Sequence, residues 1–255
     1  MQQKVASLRS RLSDHEVVSG LFLSLGSPTV ATICGNAGFD WAIIDLEHGT
    51  GSEADLLPQI LALATTPAVS LVRVPQHGSP LIQRALDLGA NGIVIPRVDT
   101  QAQAAEAVAA TRYPPKGTRG IAQLTHASGF GSRTLELARS GDEERIVVAQ
   151  IETVDALEEV DAIAATDGVD VVFVGPSDLS MSLGAFWELD RAEYQDALKR
   201  VVRAANAAGI ASGILAGDPE GASRAIDMGF RFVGISGDAG YLARAARANA
   251  ASFRR

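Results

Sequence analysis

One pattern recurs along this 255-residue chain and limits what it can fold into. A helix-like stretch ends in a glycine, and a short β-branched apolar run follows, closed by a polar residue. Copies stand at 37–45, 88–96, 167–175, 208–214 and 228–236, with Gly38, Gly89, Gly168, Gly209 and Gly229 at the stops. Glycine suits a helix C-cap because the left-handed conformation there costs it nothing. A run that is apolar at every position, rather than at every second one, suits a parallel strand buried on both faces. Eight strands are expected, at about 21–25, 40–45, 69–74, 92–96, 146–151, 170–175, 210–215 and 231–236, with Ala-rich helices such as 100–111 and 191–208 between them. Strands alternating with helices make right-handed crossovers and a parallel sheet. Eight units with no linker between them predict one α/β domain over residues 1–255, a closed (β/α)8 TIM barrel. An open doubly wound sheet is the runner-up, and it lacks the G-x-G-x-x-G that would open a helix and hold a nucleotide cofactor.

Residues 112–142 break the repeat with Pro114-Pro115, Gly117, Gly120, Gly129 and Gly131. A long loop in a compact fold is usually functional, so this one is expected to cover the active site. Residues 1–16 mix charges with no apolar block and read as a polar tail without a signal peptide. A net charge of −8 with no basic cluster argues against nucleic acid, and no apolar run is long enough to span a membrane. The lone cysteine, Cys34, has no disulfide partner in the chain and reads as a small buried hydrophobe of the first helix, and the cytoplasm is the expected compartment.

Barrel enzymes carry their chemistry where strands end. Asp45-Leu46-Glu47-His48 follows the second run, Arg73 lies in the third, Gln150-Ile151-Glu152 ends the fifth, and Gly175-Pro176-Ser177-Asp178 ends the sixth. Glu152 and Asp178 leave neighbouring strands. They could share a hard cation such as Mg2+ or Mn2+, or each could cap the helix that follows it. Arg73 is a charge in an apolar strand, so it needs either an internal carboxylate or an anionic substrate oxygen. Asp45 beside His48 could orient and activate the imidazole as an acid–base group. The backbone N–H groups of Ser177 and Asp178 could face an anion. His15 and His77 read as solvated loop residues. Of the three lysines, Lys4 falls in the tail, Lys116 in a turn and Lys199 within a helix, so none is placed to form a Schiff base at the mouth. Oxo-acid chemistry would then need a metal as electrophile.

The ordered set Gly38-Phe39-Asp40-Trp41, Asp45-Leu46-Glu47-His48, Val72-Arg73-Val74-Pro75, the stretch from Thr111 to Gly120, Gln150-Ile151-Glu152-Thr153 and the stretch from Phe173 to Ser180 resembles the metal-dependent (class II) pyruvate aldolases of the HpcH/HpaI family. The resemblance covers about residues 17–250. It implies aldol cleavage of 4-hydroxy-2-oxo acids to pyruvate, or a hydroxypyruvate-like 2-oxo acid, plus an aldehyde. It implies a divalent metal (Mg2+, Mn2+ or Co2+) on Glu152 and Asp178, and Arg73 on the oxo or enolate oxygen. It also implies the amides of Ser177 and Asp178 on the carboxylate, Gly175 and Gln150 beside the oxo-acid site, and His48 as the acid–base group with Asp45 and Asp87 near it. A hexamer, a trimer of dimers with exchanged C-terminal helices, is implied as well. Two stretches depart from the family pattern: His126-Ala127 stands where an Arg-Ala pair is usual, and 185–190 is not Gly/Pro-rich. Related C–C lyases of the citrate-lyase or malyl-thioester type and oxaloacetate decarboxylases are the competing readings. A phosphate cup at 234–237 is a more distant one.

Overall fold

The computed structural model describes residues 2–140 and 145–253. Eight parallel strands close a barrel in chain order: β1 (Val18–Leu23), β2 (Trp41–Asp45), β3 (Val69–Arg73), β4 (Gly92–Ile95), β5 (Ile146–Ile151), β6 (Val171–Val174), β7 (Ala211–Ala216) and β8 (Phe232–Gly237). The helices around it are α1 (Gln2–Ser13), α2 (Pro28–Gly35), α3 (Leu56–Ala64), α4 (Ser79–Asp87), α5 (Gln101–Thr111) and α6 (Thr134–Ser140), then α7 (Val154–Glu158), α8 (Val160–Ala164), α9 (Pro176–Ser182), α10 (Ala192–Ala208), α11 (Pro219–Met228) and α12 (Asp238–Ser252). The expected (β/α)8 barrel is the fold that forms. Alternate strand residues divide two cores. Phe22, Trp41, Ile43, Leu71, Val148 and Phe173 fill the interior, while Leu21, Ala42, Ile44, Val72, Ile93 and Val172 pack outward with the helices.

Seven strands begin within a residue of expectation, but β1 begins three residues earlier than expected. Gly20 hides its start by interrupting the apolar run. A Cβ on Gly20 would lie 2.0 Å from the Trp41 ring, and that ring is stacked on Phe232 at 4.1 Å between centroids. The glycine therefore makes room for the largest side chain in the barrel floor. Gly20→Ala should cost about 3 kcal/mol by overpacking, read by chemical denaturation.

Residues 2–13 form α1 and are not a tail. Val5, Leu8 and Leu12 of α1 are buried in the interior cluster. Lys4 caps the α3 end, bonding the carbonyls of Leu63 (3.4 Å), Ala64 (3.3 Å) and Thr66. The helix plugs the barrel where the strands begin. Its apolar residues are few and set among charges, which masks them in the sequence.

The described residues of the 112–142 segment do not cover the mouth of their own barrel. The segment is bonded along α4 and α5: Thr118 N–H to Ala109 (2.8 Å), Ala127 N–H to Asp87 (3.0 Å), and Gly120 N–H to the Gln83 side chain (3.1 Å). Helices run antiparallel to strands in this fold, so the C-terminal ends of α4 and α5 lie at the end opposite the mouth. The segment also contains α6, and its residues 141–144 lie outside the described residues. Among the described residues no helix is long and apolar enough to cross a membrane.

Candidate active site

The mouth opens into a cavity of about 690 Å3 whose lining includes Phe22, Ser24, Asp45, Arg73, Ser177 and Ser236. β3 delivers Arg73 and β2 delivers Asp45 at paired positions of the sheet. Both are buried. The pair is bidentate, with Arg73 Nε on Asp45 Oδ1 at 2.8 Å and Nη2 on Oδ2 at 2.6 Å. Nη1 reaches Glu47 Oε2 at 3.0 Å, and the guanidinium lies 5.0 Å over the Phe22 ring. Burial pushes the Asp45 carboxyl up, but the hydrogen bonds and charge of Arg73, with the amides of His48 and Glu47, hold it below its usual value. Arg73 is likewise favoured as a cation despite burial, by Asp45, Glu47 and Glu152.

Asp45 does not orient the His48 ring. Its oxygens are spent on Arg73 and on the backbone N–H groups of Glu47 (3.0 Å) and His48 (3.3 Å). The carboxylate near the imidazole is Glu47, with Oε2 3.8 Å from Nε2, and the His48 side chain is 66% exposed at the rim. Glu47 therefore stands with the site residues, a third member of the motif beside Asp45 and His48. The signal was available, since Glu47 follows Asp45 by two and returns to the same face of an extended chain. Asp87 is not brought to His48 within one chain. It ends α4 at the opposite end of the barrel, where Oδ1 accepts from Nη2 of buried Arg119 at 2.7 Å.

Glu152 is buried just past β5. Oε1 accepts the Arg97 N–H at 2.8 Å and Oε2 accepts Gln150 Nε2 at 3.1 Å. Arg97 has φ +51°, a conformation uncommon for a residue with a Cβ and concentrated at functional sites. Its carbonyl meets His77 Nε2 at 2.6 Å, so His77 is tied into the site scaffold and is not a free loop residue. No local sequence pattern marks Arg97. Gly175 is required by space: a Cβ there would stand 2.5 Å from Glu152 Oε2 and 3.5 Å from Gln150 Nε2. Three residues beyond it, Asp178 sits in the first turn of α9. The first helical bond of α9 is Leu179 N–H to Gly175, so the N–H groups of Ser177 and Asp178 precede the ladder.

Burial raises the Glu152 carboxyl to about 7, the Arg97 N–H opposes that rise, and the nearby charges of Glu47 and Asp178 add to it. Burial raises Glu47 too. Carboxylates thus crowd these strand ends in excess of the charge Arg73 supplies. All donors are hard oxygens. Among the described residues no three His, Cys, Asp or Glu side chains form a ready-made metal set. Glu152 and Asp178 fit a hard dication that keeps open positions for water and substrate oxygens. A carboxyl whose folded pKa lies above its unfolded value stabilises the fold fully below about pH 4.5, and that contribution is lost as pH rises through about 7. The metal-free protein should lose melting temperature between about pH 5 and 8, and Glu152→Gln should flatten that slope.

The lysines lie off the strands: Lys199 pairs with Asp196 at 3.0 Å on α10, Lys116 is exposed, and Lys4 caps α3.

A (β/α)8 barrel with a buried arginine and several carboxylates at the C-terminal strand ends has the layout of a barrel enzyme. Residues 18–245 match the family model described as HpcH/HpaI aldolase/citrate lyase. The chain belongs to that family, and so to the carbon–carbon lyases. It is 40% identical over 246 residues to a hydroxypyruvate/pyruvate aldolase of Paraburkholderia phytofirmans, covering 94% of each chain. It is 38% identical over 247 residues to a 5-keto-4-deoxy-D-glucarate aldolase of Klebsiella pneumoniae, covering 97% of this chain and 96% of that one. The crystal structure of an HpcH/HpaI aldolase/citrate lyase family protein from Burkholderia cenocepacia J2315 superposes with a TM-score of 0.93 at 39% identity, covering 98% of this chain and 99% of that one.

Proposed function

We propose that the protein is a divalent-cation-dependent class II aldolase. It would interconvert a 4-hydroxy-2-oxo acid with pyruvate, or a hydroxypyruvate-like 2-oxo acid, and an aldehyde. The observation that carries the reading is the placing of a locked Arg73 beside the crowded carboxyl of Glu152 at one mouth. Glu152 and Asp178 would hold the cation, Mg2+, Mn2+ or Co2+, which when bound supplies Lewis-acid polarisation of the 2-oxo group. Arg73 is fixed by Asp45 and Glu47, so its fork can meet the negative charge that grows on the oxo oxygen without reorganising. The N–H groups of Ser177 and Asp178 take the substrate carboxylate, and Gln150 keeps Glu152 turned inward. His48, exposed at the rim, takes the C4 hydroxyl proton in cleavage and returns it in addition. A part for Asp87 beside His48 requires the α4 end of a second subunit to abut the mouth. The reading includes a hexamer of exchanged α12 helices. In support, α12 is exposed over most of its length, with Leu242 (62% exposed) in its second turn and Phe253 (89% exposed) just after its end. It also places the enzyme in the cytoplasm, acting on small molecules.

The test is release of pyruvate or hydroxypyruvate from a panel of 4-hydroxy-2-oxo acids with and without chelator. The expected result is release that chelation abolishes and Mn2+ or Mg2+ restores. The family description joins aldolases with citrate lyases, so oxaloacetate and a malyl thioester belong in the panel. Turnover of those alone would overturn the aldolase reading.

A further inference from the structure

We infer that Asp238, the first residue of α12, is a positioning residue for the loop that carries Glu47 and His48. Asp238 is buried, yet it lies outside the mouth machinery described above. Oδ1 accepts from the Ser24 N–H (2.9 Å) and the Ser24 hydroxyl (3.0 Å), and Oδ2 accepts from the Leu25 N–H (3.1 Å). A carboxylate is the side chain that takes several N–H and O–H donors at once with no proton of its own to misplace. These bonds fix the turn after β1. The Ser24 carbonyl then accepts from Thr50 twice, from N–H at 2.7 Å and from the hydroxyl at 3.0 Å. The two loops touch backbone to backbone as well. A Cβ on Gly26 would meet the Gly51 Cα at 2.7 Å, and one on Gly49 would meet the carbonyls of Asp45 at 2.2 Å and Ser24 at 3.2 Å. Beyond the bonds that Leu46 N–H (3.0 Å) and the Glu47 carboxylate (3.0 Å) make to Arg73, the backbone of residues 46–51 is held at two points. One is Asp45, which binds the amides of Glu47 and His48. The other is the strut from Asp238 through Ser24 to Thr50.

His48 needs such a strut because its own side chain is exposed and unanchored by core packing. Misplacement of a catalytic group by about 1 Å is enough to cost about 100-fold in rate. The oxo-acid half of the site rests on β3, β5 and β6; it shares its cavity with Ser24 and meets the strutted loop at Glu47, 3.0 Å from Arg73, while Arg73 itself stays locked by Asp45. The inference rests on the proposed aldolase reading for its kinetic readout, and exchange of backbone hydrogens supplies a readout independent of it.

The experiment compares full-length Asp238→Asn, Thr50→Val, the double variant and His48→Ala. An asparagine must turn an NH2 toward one of the donors Asp238 satisfies, so the strut is broken without a change of size. Asp238→Asn is expected to lower kcat about 10- to 100-fold while KM for the oxo acid stays within about threefold. Thr50→Val removes the hydroxyl bond and leaves the N–H bond, so it weakens the strut that Asp238→Asn breaks, and the double variant is expected to be no worse than Asp238→Asn alone. Amide exchange at 46–51 is expected to quicken while β4 is unchanged. If Asp238→Asn does not fold, Thr50→Val carries the same two readouts with Asp238 in place. Unchanged kcat and unchanged exchange at 46–51, or losses that multiply in the double variant, would overturn the inference. His48→Ala with full activity would instead overturn the proposed role of His48, leaving the exchange result to decide the strut.

Discussion

Glu152→Gln is expected to lower turnover of the best 4-hydroxy-2-oxo acid by about 10³-fold or more, the several kcal/mol that Lewis-acid stabilisation contributes. The substitution keeps size and shape, and glutamine can still accept the Arg97 N–H that Glu152 accepts at 2.8 Å. It removes a charge from a cavity already crowded by Glu47 and Asp178. The variant should therefore fold at least as well as the parent above pH 7, where the parent carboxylate is ionised and costly. Loss of activity with retained or raised stability separates a role in chemistry from a role in structure. Calorimetry with Mn2+ should show the parent binding and the variant not.

Arg73→Lys is expected to lower kcat/KM by about 10²- to 10³-fold, the range seen when one preorganised donor to a developing oxyanion is removed. A lysine keeps the charge but has no planar fork, and it cannot span Asp45 and Glu47 while also offering a donor to substrate. Arg73→Ala should go further. It leaves the buried Asp45 carboxylate without its bidentate partner, and breaking one side of a buried pair costs about 3–5 kcal/mol. The two variants together divide catalysis from folding: lysine mainly lowers rate, alanine lowers rate and melting temperature. Urea denaturation with steady-state kinetics on both measures the split.

The barrel was legible because a parallel strand buried on both faces must be apolar throughout, and glycine stops mark where helices end. Gly20 and α1 were not, for opposite reasons. Gly20 breaks an apolar run to admit Trp41. Val5, Leu8 and Leu12 are an apolar stripe too sparse to stand out among charges, and only the barrel floor gives it a partner. In the site, strand-end charges were legible as candidates, since Arg73 and Glu152 are unusual in or beside such runs. Their pairing was not. Asp45 was read beside His48 because the two are close in sequence, but the sheet puts it opposite Arg73, twenty-eight residues away. Asp87 precedes the Gly89 stop, so the barrel pattern already puts it at the helix end opposite the mouth, and only the family resemblance sets it near His48. Arg97 and Asp238 act through backbone placement and turn geometry that only the folded chain defines.

The central claim is that Glu152 and Asp178 share one dication. A crystal grown with Mn2+ and pyruvate, with anomalous data at the manganese edge, tests it directly. The expected result is one anomalous peak within coordination distance, about 2.0–2.3 Å, of a carboxylate oxygen from each residue and of pyruvate oxygens. Pyruvate bound against Arg73 with no manganese between these two carboxylates would contradict it.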